Sequence, residues 1–311
     1  MVTVEVTFER AAAEEVTFNV SSVQRFGTSV DLNGKTLVFA GAGESKTAVV
    51  TEGKVTVQLY EGVDYTVAVQ DESYFGSVTV TSETKDAIAF TYDAFTENLF
   101  GSGGGPLDDS KANGAETSVT NVNAGTMWAS TKETFGDSAF TITIQKSDFT
   151  KDYFVLAFIF DDGKYVMASL TEKDGNVRAE WRGLWVGFGL DDQANLKYGN
   201  WDGASCEQFN DVFAGEGVDL TVVRSGNSFY MFLSAHGDTE SAVLANMFTV
   251  DEKYQTTEGH WSIGAGSAAA NATFEFVLAE GADAVEEWTE LLYFYAEASA
   301  QDENGQVELS A

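Results

Sequence analysis

The chain has 311 residues, 44% hydrophobic and 13% aromatic, which is enough to bury a core and excludes an intrinsically disordered chain. That length exceeds one ordinary domain and points to two. With 17 Lys and Arg against 49 Asp and Glu, the net charge of −32 repels phosphate backbones and anionic lipid, which argues against nucleic-acid partners and membrane docking.

The single cysteine, Cys206, leaves no partner for an intrachain disulfide. The opening Met1-Val-Thr-Val alternates as a strand does and lacks the pattern of a signal peptide. The longest apolar run, Tyr153 to Phe160, is too short to span a bilayer, so direct membrane insertion is not expected. The chain reads as a fragment of a longer surface protein, with neighbouring domains as partners.

Taken in chain order, period-two alternation dominates the first 95 residues. Val2, Val4, Val6 and Phe8 share a face, then Val16, Phe18 and Val20, then Leu37 and Phe39. Val55, Val57 and Leu59 follow, turning at Gly62 into Val63, Tyr65, Val67 and Val69. Val78 and Val80 come next, then Ile88, Phe90 and Tyr92. Polar alternates mark half-buried antiparallel strands. The only proline, Pro106, beside the glycines of 101–105, marks a linker or entry loop between about residues 94 and 112.

Strands resume with Phe140, Ile142 and Ile144. Tyr153 to Phe160 is continuously apolar, as a central strand covered on both faces would be. Val166, Ala168 and Leu170 turn at 173–176 into Val177, Ala179 and Trp181, and Leu184, Val186 and Phe188 follow. Val218, Leu220 and Val222 pass through Ser225-Gly226-Asn227 into Phe229, Met231 and Leu233, a hairpin. Trp261 and Ile263, then Phe274, Phe276 and Leu278, complete the strands. The tail has two readings. Asp283 as N-cap with Glu286 in a capping box, followed by Val285, Trp288, Leu291, Leu292 and Tyr295 at helical spacing, predicts a short helix. The alternative is a strand over Leu291 to Ala296 that begins another segment.

The stretches Gly53 to Val69 and Tyr74 to Val80 carry a cadence that resembles the transthyretin-like β-sandwiches of bacterial surface proteins, of the CnaB and carboxypeptidase-regulatory-like types. The isopeptide bond common in CnaB domains is not carried over, because Val2 to Phe8 contains no lysine. The stretches Val218 to Leu233, Trp261 to Gly266 and Ala272 to Phe276 resemble a concanavalin A-like jelly roll of the laminin-G type. Such a resemblance implies glycan binding, in some members with calcium, and in others hydrolysis. The expected fold is therefore all-β: a transthyretin-like sandwich over residues 1–95, a jelly roll over 96–282, and a helix or further segment over 283–311.

The chemistry was sought residue type by residue type. His236 and His260 have no second His or Cys at metal-ligand spacing, and Cys206 has no basic neighbour in sequence. The paired-carboxylate strand of laminarinase-like hydrolases is absent; Phe274 to Leu278 offers only Glu275. No catalytic residue is assigned. Aromatic and polar residues crowd residues 181–201. Trp181, Trp185, Tyr198 and Trp201 offer stacking faces, and Asn200 among others offers hydrogen bonds to sugar hydroxyls. Trp185 lies opposite in parity to Leu184, Val186 and Phe188. Each tryptophan also has a plain reading as core filler. Asp161, Asp162, Asp191 and Asp192 sit in acidic turns that offer oxygen ligands to calcium, or serve as ordinary hairpin turns.

The expected protein is a non-catalytic, lectin-like adhesion module of a bacterial cell-surface or secreted, extracellular protein. Its partner would be a glycan or glycoprotein. A structural stalk subunit is the first alternative and a glycoside-active enzyme the second.

Overall fold

A computed structural model describes residues 12–26, 28–84, 87–92, 95–96, 118–120, 127–145, 153–173, 176–182, 212, 215–265 and 273–299. Two compact units divide the chain: Met1–Ala94 with Asn113–Ala115, and Phe95–Ala112 with Glu116–Ala311. The architecture is all-β, as the alternation predicts. The sequence-expected strand over 2–8 lies outside the described residues.

In the first unit the strands are β1 (Ala13–Asn19), β2 (Val23–Arg25), β3 (Thr28–Val30), β4 (Thr36–Gly41), β5 (Glu44–Val49), β6 (Lys54–Tyr60), β7 (Tyr65–Val69) and β8 (Val78–Val80). They form a sheet of order β5-β4-β7-β8 and two antiparallel pairs, β1-β6 and β2-β3. Alternate residues Val55, Val57 and Leu59, and Tyr65, Val67 and Val69, turn inward and are buried. The stacked rings of Phe18 and Phe39, 6.1 Å apart, join the β1-β6 pair to the larger sheet. Gly62 takes φ +69° in the turn before β7, a conformation that favours glycine. The expected strand at Ile88, Phe90 and Tyr92 is buried but does not join a sheet. Ile88 bridges Val20 and Tyr92 bridges Phe75 as isolated pairs, and a cluster of Phe26, Tyr74, Phe75 and Tyr92 rings holds the segment.

The second unit contains β9 (Phe95–Thr96), β10 (Ser118–Thr120), β11 (Met127–Thr131), β12 (Ser138–Gln145), β13 (Tyr153–Phe160), β14 (Tyr165–Lys173), β15 (Asn176–Arg182), β16 (Gly217–Ser225), β17 (Ser228–Ala235), β18 (Asp238–Thr249), β19 (Gly259–Ala265), β20 (Thr273–Glu280) and helix α1 (Ala282–Ser299). Two six-stranded antiparallel sheets run β10-β20-β12-β16-β17-β18 and β15-β14-β13-β19-β11-β9. They face each other through aromatic side chains: Phe140 meets Trp261 at 5.6 Å and Phe158 meets Phe229 at 5.8 Å. β13 lies between β14 and β19, and Phe154 to Phe160 are all buried, as a strand covered on both faces requires. The β16–β17 hairpin closes at Ser225–Ser228, with Gly226 at φ +57°.

Two features differ from expectation. The segment 238–249 was given no element, yet it forms β18. Its register with β17 shifts between Met231 and Phe232 and again between Leu233 and Ala235, which breaks the alternation that marks a strand. A single 3-10 turn at Glu252–Tyr254 also precedes the tail. In the tail the helix forms and the competing strand does not. It starts two residues earlier than the capping pattern indicates. Val285 N–H donates to the Gly281 carbonyl at 3.4 Å, so Gly281 is the cap and Asp283 sits inside the first turn. There its carboxylate faces the positive end of the helix dipole. Helix α1 packs against β12, β16 and β20 and belongs to the second unit.

Candidate functional site

The outer face of the β12-containing sheet is built in rungs. Antiparallel pairing sets Glu275, Thr143, Asp219 and Ser234 side by side across β20, β12, β16 and β17. The next rung on that face is Val277, Thr141, Thr221 and Phe232, and the one after is Ala279, Ala139, Val223 and Tyr230. Strand alternation sends Phe140, Ile142, Leu220, Val222 and Phe276 to the opposite, inner face, where all are buried. The outer face is thus polar at one end and apolar at the other.

Helix α1 covers the apolar end. Its Val285, Trp288, Leu291 and Leu292 pack with Ala139, Val223, Phe232, Tyr230 and Leu244. The Trp288 ring lies 5.1 Å from that of Phe232. The polar end stays open beside the helix as a groove of about 370 Å³, floored by Thr141, Thr143 and Thr221 and walled by Trp288. A smaller cavity of about 130 Å³ adjoins it and shares Thr239, Glu287 and Trp288.

Within the groove, hydrogen bonds fix one carboxylate. Asp219 Oδ1 accepts from Thr143 Oγ1 at 2.6 Å and from His236 Nδ1 at 3.1 Å, while Oδ2 accepts from Gly237 N–H at 3.0 Å. Because a carboxylate offers only acceptors, Nδ1 carries the imidazole proton, leaving Nε2 to face Glu275 at 3.8 Å. His236 is seated by its backbone bond to the Gly217 carbonyl, 3.1 Å, at the β17–β18 turn. Thr141 and Thr221 hydroxyls meet at 2.7 Å beneath.

Of the residues singled out from sequence, Trp181, Asp161 and Asp162 are described, and none of the three lines the groove. Trp181 is 3% exposed on β15, packed inside the unit with no ring face turned outward. Its cross-strand partner, Ala168 of β14, is buried as well. Trp185, Tyr198, Asn200 and Trp201 lie outside the described residues, as do Asp191 and Asp192. Asp161 and Asp162 form the β13–β14 turn with Gly163. Asp162 Oδ1 accepts from Lys164 N–H at 3.0 Å and Oδ2 from the Tyr254 hydroxyl at 2.6 Å. The Tyr254 bond is the main reason the Asp162 carboxyl is held below its ordinary pKa. Among the described residues no group of three or more His, Cys, Asp or Glu stands where it could hold a metal ion. His260 Nδ1 donates to the Thr131 carbonyl at 2.7 Å and serves the strand pairing.

In sequence Asp219 and Trp288 each carry a plain strand or helix role, and His236 and Glu275 each stand alone. Thr143 and Asp219 are 76 residues apart, and only sheet register joins them. One signal was present: Thr141, Thr143, Asp219, Thr221 and Glu275 all occupy outward positions between apolar neighbours. Among the described residues no helix is long and apolar enough to cross a membrane.

No protein-family model matches the chain, and no curated protein matches it. Solved structures align over parts of it. A xyloglucan-locus GH43B protein of Bacteroides ovatus aligns at 12% identity and a TM-score of 0.36, covering 76% of this chain and 50% of that one. The chain thus spans half the length of that protein. A CBM2 module of the evolved Dit from Lactobacillus casei BL23 phage J-1 aligns at 9% identity and TM-score 0.37, over 60% of this chain and 87% of that one. The VIP36 exoplasmic/lumenal domain, in a Ca2+/Man3GlcNAc-bound form, aligns at 9% identity and TM-score 0.33, over 54% and 81%. Likeness this distant carries no argument about activity.

Proposed function

We propose that the second unit is a lectin-like module that binds a saccharide in the groove beside α1, without catalysing a reaction on it. The observation that carries this is the pairing of Trp288 with the rung of Glu275, Thr143, Asp219 and Ser234. A pyranose has an apolar face suited to an indole and an edge of hydroxyls suited to carboxylates and threonines. Asp219 is held in place before any ligand arrives, which lowers the ordering cost of binding.

The hydrolytic alternative is weaker on the same geometry. Inverting glycosidases keep their two carboxyls about 6.5–9.5 Å apart with a water between them. Here the His236 ring stands between Asp219 and Glu275, 3.1 Å from one carboxylate and 3.8 Å from the other, and fills the space such a water needs. Asp219 Oδ1 is already taken by Thr143 and His236. These contacts favour the non-catalytic reading.

In this reading the first unit is a transthyretin-like spacer and the second a laminin-G-like jelly roll, within a bacterial surface or secreted protein that adheres to glycans. The test is a glycan array probed with the full chain, with Trp288→Ala and with Trp201→Ala. Loss of signal in Trp288→Ala alone supports the groove. Loss in Trp201→Ala alone moves the site to the 181–201 stretch. Release of reducing sugar from any bound glycan contradicts the non-catalytic reading.

A further inference from the structure

We propose that the saccharide taken by this groove bears free amino groups, as a chain of de-N-acetylated hexosamine does; the inference rests on the saccharide reading above. Three carboxylates line the larger cavity, those of Asp219, Glu275 and Glu287, and Glu240 joins Glu287 in the smaller one. Among the described residues no Lys or Arg lines either cavity. Among the described lining residues the one basic side chain, His236, stands between Asp219 and Glu275, 3.1 and 3.8 Å from them, and is outnumbered by the carboxylates. Glu275, 58% exposed, and Glu287, on the exposed side of α1, stand at the groove mouth.

Trp288 lines both cavities, together with Glu287 and Thr239, so one indole is common to two acidic chambers. A ring faced by a cation attracts it through its quadrupole. An ammonium on a sugar stacked at Trp288 would therefore meet carboxylates on either side. The shared wall also fits a ligand longer than one sugar, with successive residues in the two chambers. A uronic acid chain would meet the same carboxylates as repulsion, within a protein of net charge −32. An N-acetylated chain would present no charge to them.

Isothermal titration of the full chain near pH 6 tests this with three oligosaccharides of equal length: glucosamine, N-acetylglucosamine and glucose oligomers. The glucosamine oligomer should bind at least tenfold tighter than either of the others. Glu287→Gln should weaken it several-fold, with thermal melting unchanged, and leave the glucose oligomer unaffected, while Glu275→Gln should weaken the glucosamine oligomer more than the glucose oligomer. The same exchange at Glu14 and Glu15, on β1 of the other unit, should change nothing. Equal affinity for the neutral oligomers overturns the amine inference and leaves the saccharide reading standing. Equal weakening by the Glu14 and Glu15 exchanges, or equal binding of spermidine, overturns it too, since charge alone would then suffice. Binding of none of the three oligomers overturns both.

Discussion

Arg224 shows what a single residue contributes to holding the sheets. It is 1% exposed, and burial lowers its pKa against the opposing pull of Asp137 and Glu258. Its Nε donates to Gly226 O at 3.0 Å, Nη1 to Phe135 O at 3.2 Å, and Nη2 to the carbonyls of Tyr254 and Thr257. The guanidinium lies 4.6 Å from the Phe158 ring centroid and 5.5 Å from that of Phe160. A planar fork serves four carbonyls that a lysine ammonium cannot span. Arg224→Lys should therefore cost about 2–4 kcal/mol, as buried acceptors lose their donors. Urea melts giving less than about 1 kcal/mol would show that the carbonyls find other partners. Tyr254, whose carbonyl Arg224 holds, also donates its hydroxyl to Asp162. A carboxyl held below its ordinary pKa adds stability above its unfolded value and loses it as the pH falls. The stability difference between wild type and Tyr254→Phe should accordingly be largest near neutral pH and shrink through the carboxylate range. The bond is at the surface, so a difference under about 1 kcal/mol is expected. A difference that grows on acidification would contradict the assignment.

At the scale of elements, close approach between strands sets the tolerances. Gly259 in β19 faces Phe160 in β13, and an added Cβ would overlap the Ile159 carbonyl and the Phe158 ring. Gly259→Ala should cost about 1–3 kcal/mol through displaced strands, measured by thermal or urea melting. Near-neutral stability would mean that β13 and β19 part more easily than their pairing implies. Such contacts also mark where sequence stops being legible. The hairpin Val218 to Leu233, the buried run of β13 and the turn at Gly62 follow from local pattern, because alternation and turn chemistry are properties of neighbouring residues. β18 does not, because its bulges put Ala245 and Asn246 inward together. Nor does the groove, because a polar outward residue such as Asp219 looks like any solvated strand face until register sets Thr143 and Glu275 on its rung. Trp288 read as one of a helix's core residues, and it is that; its second role depends on which half of the sheet the helix leaves open. For the Asp161–Asp162 turn, the calcium proposal expects a higher melting temperature in millimolar calcium than in chelator. Equal values would leave Asp162 bound by Lys164 and Tyr254 alone.

Across the whole molecule, charge is the dominant global property. At −32 the chain repels itself, so its melting temperature should rise as salt is raised toward about 0.5 M and screening shortens. A fall over that range would mean that specific ion pairs outweigh the general repulsion. The two compact units, which share no sheet among the described residues, further predict that calorimetry resolves two transitions, with saccharide raising only that of the second unit. The central claim is that the face left open beside α1 is where a saccharide sits. The crystal structure of the full chain with a bound oligosaccharide tests it most directly. The result expected is a pyranose stacked on Trp288, with hydroxyls or amines within hydrogen-bond distance of Asp219, His236 or Glu275. A saccharide seated instead among Trp185, Tyr198 and Trp201, with the groove beside α1 empty, would contradict it.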